Sequence, residues 1–381
     1  MRRVGAAQAF NLTGQLKQKM TVCVIDSGID YSHTELIPNL HPLVGYNALN
    51  ASSDVFDDNG HGTHCAGTIG AVGMNSVGIA GMNWGVQLLA CKFINQDGIG
   101  WVSGVIDCLD FCVRNNATIS SNSYALSDIN ATSTILQDAI AQAGAQGHLY
   151  VTAAGNEGLD LDAGTATVLP AAFRLPNMLT VAAALDGGEE SGSQDRLAGF
   201  SNWGNSTAHL AAPGTHILST YPGNWLAYMS GSSTAAPFVA GAAAFLHSLS
   251  GAFLSNTQIR QTLLQTAKPV PGLAGRTVTG GMLDLWAAAQ AVAAETSGMA
   301  AATAAVLPAP SSPSALDTDG TLPPQTPPSA GSRLPQLQRM LMGPRDLLWQ
   351  TLQSVATSWH QWDAFLRATL ERTAAYPRQT R

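Results

Sequence analysis

The sequence predicts an α/β fold, a mostly parallel central sheet with helices on both faces. Three observations carry this. Short, β-rich apolar runs recur along the chain, at Thr21–Ile25, Val86–Ile94 and Ala117–Tyr124, and in the strand and turn starting at His148 and running to Asn156-Glu157. Longer helical segments, Val102–Asn115 and Asp128–Gln146, fall between them, and strands alternating with helices imply parallel crossovers. A carboxylate and a glycine turn, Asp26-Ser-Gly-Ile-Asp30, close the first of these runs. The C-terminal ends of strands are where open α/β sheets gather functional groups.

Composition fits this reading and narrows the function. The chain has 381 residues, enough for one large domain plus appendages, with 45% apolar residues, 11% charged and 38 glycines. Net charge is −7 with no basic block, which argues against nucleic acid as a partner. No apolar run reaches the roughly 18 residues of a membrane span.

Taken in order, Asp26 abuts the first strand and is preferred there over Asp30 as a functional carboxylate. Next, Asp57-Asp-Asn-Gly-His-Gly-Thr-His-Cys-Ala-Gly-Thr68 places His61 between two glycines at the start of a helix of small residues. The His61/His64 spacing lacks the Glu and the separation of a zinc motif, so a metal is not expected there. The stretch Met229-Ser-Gly-Ser-Ser-Thr-Ala-Ala-Pro237 precedes a helix poor in charge. Gly231 permits a sharp turn, and Pro237 is expected within the first helical turn, where its missing N–H costs nothing. The helix should therefore begin near Ser233. Taken alone, Ser233 reads as a helix cap; beside unpaired N–H groups it also suits a nucleophile whose attack creates an oxyanion.

Val-Ile-Asp26-Ser-Gly-Ile-Asp, Asn-Gly-His61-Gly-Thr-His-Cys-Ala-Gly-Thr and Gly-Ser-Ser233-Thr-Ala-Ala-Pro, in that order, together resemble the subtilisin-like serine protease (subtilase) family from about Ala9 to about Ala294. The cysteine after His64 resembles the proteinase K-like branch. The resemblance implies a catalytic triad of Asp26, His61 and Ser233, with Ala-Ala-Gly-Asn156 supplying an oxyanion donor. It implies substrate-pairing edges at Gly98-Ile99-Gly100 and Ser123-Tyr124-Ala125, joined by Ala154 and Gly155. Val102 and Val105 would line the S4 pocket, and Tyr124 would stand between S1 and S4. It further implies a calcium loop, with Glu35, Asn75, Val77 and Ile79 as ligands of a structural Ca2+. Leu169-Pro170 matches a site where the proline is often cis. The residue after the nucleophile, commonly methionine in the family, is Thr234. The implied activity is endopeptidase cleavage of protein or peptide substrates through an acyl-enzyme.

The peptidase domain is read as residues 1–294, ending in a helix Leu285–Ala294. A Pro/Ala/Ser/Thr-rich linker follows at 295–335, then an amphipathic helical tail at 336–381, with Leu348, Leu352, Val355, Trp359, Trp362 and Leu366 on one face; packing on the protease or binding a partner is preferred for that face, with a membrane surface as the alternative. The Asp186–Arg196 insertion reads as a surface loop. An odd set of five cysteines does not form a disulfide framework by itself. Buried free thiols are expected at Cys23, Cys65, Cys91, Cys108 and Cys112, with a Cys91–Cys112 or Cys91–Cys108 bridge as the alternative. No signal peptide is read at the N-terminus, and the family's usual propeptide is not found within this chain. A secreted or secretory/vacuolar location is nonetheless expected from the family, and sequons at Asn11, Asn50, Asn116, Asn130 and Asn205 permit it.

Overall fold

Among the described residues ten strands form one sheet, in the order Lys268–Pro269, Gly281–Met282, Leu210–Pro213, Met178–Leu185, Leu149–Ala153, Ile119–Asn122, Met20–Asp26, Val86–Lys92 and Leu40–Asn47, with Arg196–Leu197 paired to Met178–Leu185. The computed structural model describes residues 1–126, 133–163, 168–187, 195–251 and 254–306. The segments read as linker from 307 onward and as amphipathic tail, and most of the Asp186–Arg196 insertion, lie outside the described residues. The elements run α1 (Ala6–Ala9), β1 (Met20–Asp26), β2 (Leu40–Asn47), α2 (His61–Gly70), β3 (Val86–Lys92), α3 (Val102–Arg114), β4 (Ile119–Asn122), α4 (Ser133–Ala145), β5 (Leu149–Ala153) and β6 (Met178–Leu185). They continue β7 (Arg196–Leu197), β8 (Leu210–Pro213), β9 (Ile217–Tyr221), β10 (Trp225–Met229), α5 (Ser232–Ser250), α6 (Asn256–Gln265), β11 (Lys268–Pro269), β12 (Gly281–Met282) and α7 (Leu285–Val306). Every pair from β2 across to β12 is parallel. Strands β9 and β10 form a separate antiparallel hairpin leading into α5.

The alternation of β1 shows how the sheet divides two cores. Val22 and Val24 face one side, with Ile69 of α2, Val239 and Phe245 of α5 and Ala288 of α7. Cys23 and Ile25 face the other, with Leu109 of α3 and Ile140 of α4. A strand buried on both faces reads as a continuous apolar run, as Thr21–Ile25 does. Helix α5 is almost wholly buried, and its small residues let it lie close to its neighbours; a Cβ at Gly241 would sit 2.6 Å from Met82 Cβ.

Several expectations are corrected. Four cysteines are not free: Cys23 is bonded to Cys112 and Cys91 to Cys108. Because β1 and β3 are adjacent and parallel, Ile25 lies beside Cys91 and Cys23 beside Leu89. Both strand cysteines thus meet the face of α3 that carries Cys108 and Cys112. Only Cys65 remains a free, buried thiol. The final helix does not stop at Ala294 but continues to Val306, into the stretch read as linker. Val105 belongs to the core under α3 rather than to the cleft wall, while Val102 lines the cleft. The Leu169–Pro170 peptide is cis, as expected.

Candidate active site

Asp26 is the last residue of β1 and is completely buried. Its Oδ1 accepts the Ser27 N–H at 2.7 Å, and both carboxylate oxygens face His61 Nδ1, at 2.8 and 3.0 Å. The competing Asp30 is used elsewhere. Its carboxylate accepts from the Ser32 N–H and Oγ and from the Gly223 N–H, tying its loop to the tip of the β9–β10 hairpin.

His61 opens α2 and is partly buried. Burial is the largest single influence and opposes charging its ring, but the Asp26 carboxylate and its hydrogen bond, joined by Cys65, together hold the imidazole well above the ordinary histidine range. Cys65, one turn along, lies 4.0 Å from His61 Nδ1. Burial pushes its thiol up, and of the two neighbours Asp26 has the larger influence on His61. His64 is used structurally. Its Nε2 pairs with the Ile217 carbonyl at 2.9 Å, binding α2 to the hairpin. The glycine before His61 is dictated by close approach as well as by backbone. Gly60 has φ 103°, and a Cβ there would lie 2.2 Å from the Tyr221 ring.

Ser233 is the second residue of α5. Gly231 adopts an extended φ of 161°, so no unusual turn demands a glycine there. The side chain is excluded instead by crowding: a Cβ would lie 2.8 Å from Ser233 Oγ and 3.3 Å from Asn156 Nδ2. Those two groups therefore face one small space. Asn156 is oriented by its other atom, because Oδ1 accepts the Ser232 N–H at 2.7 Å. Ser232, fully buried, accepts the Gly155 N–H at 2.9 Å and donates to the Gly155 carbonyl at 3.0 Å. Among the described residues nothing accepts the Ser233 N–H, and no hydrogen bond joins Ser233 Oγ to His61. Pro237 sits inside α5, beyond the first turn. It leaves the Ser233 carbonyl without its i+4 donor, and the Cys65 thiol donates to that carbonyl at 3.6 Å.

A cleft of about 560 Å3 lies between the two edges, lined by Phe93, Gly98, Ile99, Gly100, Val102, Tyr124 and Ala125 among others; Asp26, His61, Ser233 and Asn156 are not part of its wall. Tyr124 packs edge-on against Phe93, with centroids 4.7 Å apart, and its hydroxyl is fixed beneath by Tyr150 Oη at 2.6 Å and Asn122 Oδ1 at 3.1 Å. Ser123, the start of that edge, is buried. The N–H groups of Ala154 and Gly155 are taken by the Val181 carbonyl and Ser232 Oγ. Away from the cleft, Glu35 is buried and its Oε1 accepts from Asn75 Nδ2 at 2.9 Å, while Asn75 Oδ1 accepts the Val77 N–H at 3.1 Å. Glu35 Oε2 is buried with no partner. Gly78, between Val77 and Ile79, has φ 61°, and a Cβ there would crowd the Glu35 carboxyl at 2.9 Å.

Sequence reading missed Asp57 and the carbonyl contact of Cys65. Asp57 is almost fully buried and bonded to the first turn of α2, whereas its neighbour Asp58 is exposed and pairs with Lys92. Nothing in the run Asp57-Asp58-Asn59-Gly60 distinguishes the two.

A serine at a helix start and a histidine held by a buried carboxylate are thus brought near each other through Cys65, which touches His61 Nδ1 and the Ser233 carbonyl, with a side-chain amide beside the serine. The profile of the subtilase family matches residues 17–303, and the chain belongs to that family. It is 36% identical over 251 residues to the thermophilic serine proteinase of Bacillus sp. strain AK1, covering 66% of this chain and 57% of that protein. It is 31% identical over 296 residues to subtilisin-like protease 1 of Plasmodium vivax, covering 69% and 46%. To subtilisin BL of Lederbergia lenta it is 34% identical over 267 residues, covering 70% and 89%. The crystal structure of a cold-adapted subtilisin-like serine proteinase superposes with a TM-score of 0.60 at 30% identity, over 71% of this chain and 89% of that one. The chain spans only about half the length of the first two relatives.

Proposed function

We propose that the protein is a serine endopeptidase that hydrolyses peptide bonds through an acyl-enzyme. The observation that carries this is the shared space between Ser233 Oγ and Asn156 Nδ2, beside a histidine held by Asp26. Rotation of the Ser233 side chain presents Oγ to His61. Oγ attacks the scissile carbonyl as His61 Nε2 takes its proton, and the imidazolium is stabilised by Asp26. The carbonyl oxygen, now negative, accepts from Asn156 Nδ2 and the Ser233 N–H. Collapse expels the amine with the proton from His61, and water then repeats the sequence on the acyl-enzyme. An extended peptide is positioned by pairing with the Gly98–Gly100 and Ser123–Ala125 edges as an added strand. A fluorophosphonate should label Ser233, and Ser233→Ala should abolish both labelling and peptide hydrolysis. Ser232→Ala should keep a measurable fraction of activity; the reverse ranking would overturn the assignment.

The calcium proposal is supported by the partnerless Glu35 Oε2 and by the glycine that leaves room beside it. Glu35 and Asn75 would hold the cation, with backbone carbonyls of Val77 and Ile79, and an all-oxygen set suits Ca2+. A ligand bound only to the folded state raises stability by mass action. Melting midpoints in calcium should exceed those in chelator; identical midpoints would contradict the site. Two disulfides favour an oxidising compartment, in keeping with a secreted or secretory/vacuolar location. A propeptide and a partner for the tail helix remain part of the same proposal.

A further inference from the structure

Helix α2 must hold His61 in register with Asp26, yet its N-cap, Gly60, has no side chain with which to cap. The first N–H groups of a helix need acceptors. They find one three residues upstream. The Asp57 carboxylate, 1% exposed, accepts from the Gly60 N–H at 2.8 Å and the Asn59 N–H at 3.1 Å through Oδ1. Through Oδ2 it accepts from the Thr63 N–H at 2.8 Å and Thr63 Oγ1 at 2.6 Å. Its remaining contact reaches across to the other half of the site: Ser27 Oγ donates to Oδ1 at 2.8 Å. Ser27 directly follows Asp26, and its Oγ in turn accepts the Gly62 N–H at 2.9 Å. Lys92 secures the same turn from below, donating to the Ser27 carbonyl and to Asp58.

We propose that Asp57 is the positioning residue of His61. It acts by bonding the end of β1, which carries Asp26, to the first turn of α2, which carries His61; this rests on the reading of His61 as general base. Among the described residues Asp57 has no hydrogen bond to His61 or Ser233, so its influence runs through the backbone of residues 59–63 and through Ser27. A negative charge at the start of α2 is also favoured by the helix dipole. The other ionisable groups acting on the His61 ring are Asp26 on β1 and Cys65 and His64 on its own helix.

Asp57→Asn preserves shape and removes the charge and one acceptor. Turnover is measured per active site titrated with a fluorophosphonate, with melting curves alongside. The expected result is a fall of about 10–100-fold in kcat/KM per titrated site, carried by kcat, as for a misplaced catalytic group. The acid limb of the pH profile should also move to lower pH, because a charge favouring the imidazolium is lost. Ser27→Ala should cost about 2–10-fold, the scale of one hydrogen bond. The double variant should cost less than the product of the two, since both act through one network. Should Asp57→Asn fail to fold, Ser27→Ala carries the same measurement. Lowered melting with unchanged kcat per site and unchanged acid limb overturns the positioning role. His61→Ala is assayed in parallel. Full turnover there removes the general-base reading and this role with it; lost turnover there, with wild-type kcat in Asp57→Asn, overturns the positioning role alone.

Discussion

Helices α2 and α5 both begin behind a glycine that offers no side-chain cap, and their first turns are then completed in opposite ways. In α2 the N–H groups of Gly60, Gly62 and Thr63 are taken by Asp57 and Ser27. In α5 the Ser232 N–H is taken by Asn156 Oδ1, but the next, that of Ser233, has no acceptor among the described residues. A histidine that must stay aligned with a fixed carboxylate gains from a closed helix start. A helix start that must receive charge forming in a transition state gains from a donor left open and already aimed. The same local geometry, glycine then helix, thus serves holding in one place and electrostatic stabilisation in the other.

The largest effect should come from breaking the open end. Asn156→Ala removes the oriented amide beside Ser233 and should lower kcat by roughly 10²–10³-fold, the scale known for loss of one such donor in a subtilisin, with KM little changed. The Ser232 N–H also loses its acceptor and is then free to bind water. A kcat within threefold of wild type, about 0.7 kcal/mol, would show that the open end does not rely on Asn156.

The closed end is tested by pH. Because the folded-state value of His61 is raised, its neutral, base-competent form is lost as pH falls through a midpoint above 6.5. The acid limb of kcat/KM should therefore lie above the ordinary histidine midpoint and be reversible. Stability should respond lower and separately. Burial holds His64 and His148 down to about 4, so the unfolded chain binds more protons than the folded one between about 6.5 and 4. Their contribution is fully present above 6.5 and is lost as pH falls toward 4. Protonation of His61 itself favours the folded state, so melting temperature should hold or rise as pH falls through the loss of activity and decline only below about 6.5; a melting temperature that falls together with activity would contradict the separation.

The smallest effect concerns oxidation next to the open end. Thr234 is buried and its hydroxyl donates to the Gly231 carbonyl at 2.9 Å. No sulfur follows the nucleophile directly, and Cys65 is buried and neutral, a poor target for peroxide. Thr234→Met should lose activity several-fold faster, very roughly, under matched peroxide exposure. Equal loss in both proteins would point to Cys65 or Met229 instead.

Much of this protein follows from local sequence. Alternating apolar strands and helices set the α/β class, because side-chain periodicity is a property of a few neighbouring residues. Asp26 at a strand end, His61 and Ser233 at helix starts and Asn156 after a strand were legible for the same reason. What local pattern left open was which of several chemically equal residues is used. Adjacency to the strand favours Asp26 over Asp30 in sequence, but only the fold turns Asp26 toward His61 and Asp30 toward the hairpin. Asp57 and Asp58 are indistinguishable in sequence, and only the fold buries one and exposes the other. Disulfide pairing likewise required the adjacency of β1 and β3 under α3, and the need for glycine at 231 came from its distance to Ser233 and Asn156, not from its own backbone. These choices depend on contacts between residues far apart in the chain. Periodicity fixes which face a residue occupies, but only tertiary packing fixes what stands opposite it.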